Sequence, residues 1–213
     1  MKTEHLIDLL AQGVEPVRPH AARRHLALAL GLGLPLSLAI VLFDYGLRPD
    51  LAQAALLPMF WVKLLFPALV GLTGFLATQR LARPGVAVGA LKAGFVLPIA
   101  VLWLLAAVVL LTAPPQERPG LVLGSTWRSC AVSIGFIALP VFVAVLGALR
   151  TLAPTRPAAA GAAAGALAGG AGAMVYALHC PEPQAPFLAV WYVAGIALVV
   201  LAGALLGRFV LRW

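Results

Sequence analysis

Six apolar runs, each long enough to cross a lipid bilayer, occupy most of this 213-residue chain and constrain it more than any motif does. They fall at about 25–43, 52–78, 88–112, 127–149, 158–178 and 187–207. A helix rises about 1.5 Å per residue, so the roughly 30 Å hydrocarbon core takes about 20 residues. Between the runs stand short segments rich in proline, glycine and charge: Arg48-Pro49-Asp50, Arg83-Pro84-Gly85, Gln116-Glu117-Arg118-Pro119, Pro154-Thr155-Arg156-Pro157 and Pro181-Glu182-Pro183. Such segments make turns and hold no soluble domain. With 62% hydrophobic and 10% charged residues, the chain reads as all-α, a polytopic bundle of six transmembrane helices spanning residues 25–213 behind a tail at 1–24.

The net charge of +8 would suggest nucleic acid in a soluble protein. In a membrane protein it mostly records orientation, because lysine and arginine accumulate on the cytoplasmic side. With the N-terminus inside, Lys2, Arg18, Arg23, Arg24, Arg80, Arg83, Arg150, Arg156, Arg208 and Arg212 are cytoplasmic, and Arg48, Arg118 and Arg128 are outside. Both termini are therefore expected in the cytoplasm, and no nucleic-acid partner is expected. The first 24 residues hold three acids and no apolar core, so they do not read as a secretory signal; the first span is expected to act as an uncleaved anchor.

Ion-coupled transport normally needs acids or histidines within spans, and these spans carry no carboxylate. Lys63 is the exception. Counted from the start of the second run it lies about 11 residues deep, roughly 15 Å along the helix. It either faces a polar cavity or grips carbonyls of neighbouring helices, or it snorkels through a local water defect. Lys92, near a span end, reads as snorkelling. Pro35, Pro58, Pro67, Pro98 and Pro140 are expected to kink helices. In the fifth run Gly161, Gly165, Gly169 and Gly172 share one face, which suits close packing within the chain or, as the alternative, a homodimer. No Cys-x-x-Cys and no glycine-rich dinucleotide motif is present, so neither an enzyme nor a cofactor is expected.

The two cysteines are Cys130, at the start of the fourth span, and Cys180, at the end of the fifth. Those ends lie on the same, outer side. A periplasmic location permits a disulfide if the Cα atoms approach within about 4.4–6.8 Å. Three readings stand: a structural staple, a redox- or metal-responsive pair, or two unpaired buried thiols. For the metal-responsive reading, His179 and Glu182 beside Cys180 supply further ligand types, with Cys130 completing the set. Trp127, Trp191 and Tyr192 near the same surface read as interfacial anchors.

In the tail, Thr3 is a plausible N-cap and Leu6, Ile7 and Leu10 fall on one side of a short amphipathic helix. A ten-residue helix is marginal alone in water and needs a partner for its apolar face. Glu4 and Asp8 make it unlike the basic helices that lie on lipid, which favours a protein partner. Gly13, Pro16 and Pro19 then suit an extended linker.

Several segments together resemble a known family. They are Met1-Lys2-Thr3, Leu6-Ile7, Val14-Glu15-Pro16-Val17, Trp61-Val62-Lys63, Gly124 through Cys130, His179-Cys180-Pro181-Glu182, Trp191-Tyr192, Gly207-Arg208 and Leu211-Arg212-Trp213. Over the whole chain this pattern resembles the six-span anti-sigma factors of the NrsF type, found in the inner membrane of proteobacteria. The resemblance implies a regulator of transcription in stress response. Its cytoplasmic tail would bind an extracytoplasmic-function sigma factor, with Leu6 and Ile7 as contacts and Leu10 added by helical spacing. It also implies that Cys130 and Cys180 form the sensory pair, ahead of the staple. The alternative function is a small transporter or channel that uses Lys63 in a polar cavity.

Overall fold

The computed structural model describes residues 3, 5, 7 and 21–212. Among them, six helical stretches are long and apolar enough to cross a membrane, and no strand occurs. Helix α1 spans Ala21–Ile40 and continues into a π-helical turn at Val41–Tyr45, closed by the Gly46 amide donating to the Val41 carbonyl at 2.8 Å. A four-residue turn of helix, α2 (Leu51–Ala54), precedes α3 (Pro58–Leu81). Helices α4 (Leu91–Thr112), α5 (Arg118–Leu123), α6 (Trp127–Arg150) and α7 (Pro157–Tyr176) follow. The short α8 (Ala185–Phe187) runs through a second π-helical turn, Leu188–Tyr192, into α9 (Val193–Val210).

Local chemistry explains the boundaries. Leu57 is extended, as a residue before proline tends to be, and Pro58 occupies the first turn of α3, where a missing N–H costs nothing. The second span therefore begins six residues later than the apolar run beginning at 52 suggests. Pro58 is a helix start and not a kink. Pro157 opens α7 in the same way, while Pro35, Pro67, Pro98 and Pro140 lie inside helices. The 118–150 stretch is cut by Gly124 at φ 56°, which separates α5 from α6.

Helix α7 is the hub, packed against α3, α6 and α9. Its alanines and glycines replace the hydrophobic drive that lipid removes with close van der Waals packing. Gly161 and Gly165 meet the backbone of α9 at Gly203 and Val199, and Gly169 meets Ile196 of the same helix. Gly170 touches Gly71 of α3, and a Cβ at Gly172 would stand 2.8 Å from the Ala138 Cβ of α6. The glycines are thus used between helices of one chain, and the homodimer alternative loses the face that suggested it. Helix α4 is peripheral and largely exposed, with Lys92 open in its first turn. Exposed Leu32, Phe43, Leu56 and Leu111 fit a surface that faces lipid.

Candidate functional site

The chemistry-bearing side chains gather at the end of the bundle where α1 stops and α3, α6 and α9 begin. Cys180 ends the turn that follows α7, its amide donating to the Tyr176 carbonyl at 3.0 Å. Cys130 lies in the first turn of α6, its amide donating to Thr126 at 3.0 Å. Both are free thiols, both are fully buried, and their side chains are neighbours. The structure holds no disulfide staple between them.

Lys63 closes one side of this cluster. Its Nζ donates to the Cys180 carbonyl at 2.6 Å and the Glu182 carbonyl at 2.9 Å, and lies 5.5 Å from the centre of the Tyr192 ring. The residue is 1% exposed. Because α3 starts at Pro58, Lys63 sits only about 7 Å along its helix, half the depth expected from the apolar run. It does not open on a polar cavity. Three clefts in the bundle are apolar, and Lys63 lines none of them.

Glu182 holds the other side. One carboxylate oxygen accepts hydrogen bonds from both the amide and the hydroxyl of Ser125, each at 2.6 Å. This ties the Cys180–Glu182 segment to the residues that lead into α6 and carry Cys130. Gly124 allows the approach: it has φ 56°, and a Cβ there would stand 2.7 Å from the Glu182 carboxyl carbon. From the loop after α1, Arg48 donates to the Cys180 carbonyl at 3.3 Å and grips Asp50 with two nitrogens, at 2.8 and 2.7 Å. That grip holds the Asp50 carboxyl below its usual range. His179 Nδ1 lies 2.9 Å from the Gly46 carbonyl, and its ring stacks edgewise on Tyr45.

Two tyrosines complete the cluster. Tyr176 and Tyr192 are buried with ring centres 6.0 Å apart beside the cysteines. Tyr192 is therefore a core residue and not an interfacial anchor. Its hydroxyl has no hydrogen-bond partner. Both π-helical turns end here, in Tyr45 and Tyr192, where an extra residue per turn re-aims the side chain. Trp127 and Trp191 sit nearer the surface, their rings 5.5 Å apart, with the Trp191 indole donating to the Val122 carbonyl.

The electrostatics are asymmetric. The Cys180 thiol is held below the ordinary thiol range by its hydrogen bond with Cys130 and then by the Lys63 ammonium, against the opposing effect of burial. The four-ligand metal set expected from the sequence is not assembled: His179 is turned to Gly46 and Glu182 to Ser125. Among the described residues no three of His, Cys, Asp and Glu are grouped to hold a metal. Sequence reasoning brought Cys130, Cys180, Glu182 and Lys63 to notice. It missed Tyr176, Ser125 and Arg48, whose roles depend on contacts between distant segments. In the tail, Thr3, His5 and Ile7 are helical and exposed; Leu6 and Leu10 lie outside the described residues.

Comparison with known proteins gives a consistent result. Residues 10–213 match the family described as NrsF, negative regulator of sigma F. The chain is 45% identical over 213 residues to a probable anti-sigma-F factor NrsF of Azospira oryzae, and 43% identical over 221 residues to the anti-sigma-F factor NrsF of Caulobacter vibrioides. Both similarities cover 100% of each chain. No solved structure matches.

Proposed function

The chain belongs to the NrsF family of negative regulators of sigma F, multi-pass membrane proteins that regulate and do not catalyse, and from that premise we propose how it does so. It resides in the bacterial inner membrane with both termini in the cytoplasm. Residues 1–24 form a cytoplasmic tail, whose Leu6, Ile7 and Leu10 bind an extracytoplasmic-function sigma factor and hold it away from polymerase. Cys130 and Cys180 face the periplasm as a sensing pair. A change in their redox state repacks the hub helix α7 against its neighbours, and the tail releases its partner.

The observation that carries the sensing part is the cysteine cluster itself. Two thiols from different spans lie side by side, free and fully buried, in a polar setting that a purely structural core does not need. Two features support the tail part: the exposure of Ile7 on a helical segment, and the full-length similarity to two proteins named as anti-sigma-F factors. Charge placement supports the orientation, with ten basic residues against three on the two sides.

Affinity purification of the detergent-solubilised protein from its host, with and without residues 2–17, tests the reading. A sigma factor is expected only with the intact tail. Recovery of the same partner by the truncated protein would remove the tail from the mechanism.

A further inference from the structure

The cluster contains two thiols, and its buried cation acts on both but makes direct contact with only one, Cys180. An ammonium taken out of water needs an anion as well as hydrogen-bond acceptors. The two carbonyls around Lys63 satisfy its protons without cancelling its charge. No carboxylate forms an ion pair with it among the described residues, because the carboxylate of Glu182 is turned to Ser125 and only its carbonyl faces Lys63. Among the described residues the one salt bridge is Arg48–Asp50, on the far side of the loop. Asp50 feels the Lys63 charge but is gripped by Arg48, so the groups left around Lys63 that can carry negative charge are Cys180, Cys130 and Tyr192.

Cys180 stands closest to positive charge. Lys63 bonds to its carbonyl and reaches its side chain, and Arg48 bonds to the same carbonyl. Cys130 has the start of α6, but a helix terminus offers only roughly half a charge, and its own amide is already bonded to Thr126. Building on the reading of these cysteines as the sensing pair, we propose that Lys63 positions and charges Cys180 as the attacking thiol and leaves Cys130 as the resolving thiol, so that a small hydroperoxide oxidises the pair in a fixed order.

The chemistry balances with a hydroperoxide as oxidant. The Cys180 thiolate attacks the terminal peroxide oxygen, an S–O bond forms and the O–O bond breaks. Sulfur is oxidised to the sulfenic acid, the peroxide is reduced, and its other oxygen leaves as the alkoxide, or as hydroxide when the oxidant is hydrogen peroxide. Cys130 sulfur then attacks Cys180 sulfur, forming S–S and breaking S–O. Water departs with the Cys130 proton. The Tyr192 hydroxyl, buried beside the pair and next to Cys180, is the donor available to the leaving oxygen. Full burial of both thiols shuts out bulky disulfides, and even a small hydroperoxide reaches them only when the cluster opens. Once the disulfide forms, the thiolate is gone and Lys63 is a buried cation without a counter-charge, which favours repacking around α3.

The test uses full-length reduced protein in lipid nanodiscs, hydrogen peroxide as the probe, dimedone as the sulfenic-acid trap, and mass spectrometry as the readout. In Cys130→Ser, Cys180 is expected to be trapped as the dimedone adduct at a rate at least roughly ten-fold above that of Cys130 in Cys180→Ser. Lys63→Met is expected to slow Cys180 oxidation by roughly ten-fold and move its pH profile up toward the ordinary thiol value of about 8.5, with Lys63→Arg restoring the lower profile. Preferential oxidation of Cys130, or a Cys180 pH profile that ignores Lys63→Met, overturns the assignment. If Lys63→Met does not fold, the two single-cysteine proteins decide alone. No sigma factor is in this assay. An ordered disulfide that fails to release a sigma factor would sink the proposed function and leave this inference standing. Release with Cys130 reacting first would do the reverse.

Discussion

Removing the Glu182 carboxylate is expected to loosen the cysteine cluster by a calculable amount. The single oxygen that accepts from Ser125 makes two bonds of 2.6 Å, one from the amide and one from the hydroxyl. Ser125 itself is exposed, so water takes over at its hydroxyl with little loss. The amide bond is the one that counts, and a hydrogen bond to a charged group contributes about 1.5–3 kcal/mol. Taking about 2 kcal/mol, and a factor of ten for every 1.4 kcal/mol, opening of the Cys180 segment away from the start of α6 becomes roughly 30-fold more frequent in Glu182→Ala. Glu182→Gln keeps an acceptor without its charge and is expected to fall between, at roughly five-fold. The assay is maleimide labelling of Cys180 in a Cys130→Ser background under conditions where opening limits the rate. Labelling in Glu182→Ala within two-fold of the parent would refute the idea that Glu182 ties the two segments together.

Gly165→Ala would drive a methyl into the Val199 backbone and is expected to lower stability by about 1–3 kcal/mol, read from the midpoint of denaturation by dodecyl sulfate in bicelles. Gly147→Ala, with nothing near its added carbon, is expected to be neutral or to gain up to about 1 kcal/mol in the same assay. At Gly124 an alanine meets both a positive φ and the Glu182 carboxyl, so Gly124→Ala is expected to cost about 1–3 kcal/mol and to raise Cys180 labelling as Glu182→Ala does. Replacing Leu6 and Leu10 together by Asp is expected to weaken sigma-factor binding at least roughly ten-fold in a pull-down, since two apolar contacts of about 1.5 kcal/mol each are lost. Melting of the transmembrane bundle should not change.

The number of spans was legible because twenty apolar residues in a row have few other uses. Their edges were less so. Pro58 looked like a kink inside an apolar run until its position at the head of α3 showed that the run contains two elements, α2 and α3. The error in helix start propagated to Lys63, whose depth was overestimated by the same six residues. The glycine stripe was legible as a packing face, but its partners were not: three glycines meet α9 and one meets α6, a division set by the local crossing of α7 with each neighbour. The candidate site was half legible. Cys130 and Cys180 stand out as the only cysteines of the chain, whereas Tyr192 looked like an anchor beside Trp191. A one-residue slip in the π-helical turn sends Trp191 outward and Tyr192 into the core, and no hydrophobic period records that slip. Ser125 and Arg48 act through contacts with the Cys180 segment, which sequence spacing cannot reveal.

The central claim is that the state of the cysteine pair decides whether the tail keeps its partner. Its most direct test is the affinity of the co-purifying sigma factor for the nanodisc-embedded protein, measured with Cys130 and Cys180 fully reduced and again after disulfide formation, with Cys130→Ser as the unresponsive control. The account predicts tight binding in the reduced state, release on oxidation, and no oxidation-dependent change in the control. Equal affinity in both states would contradict it.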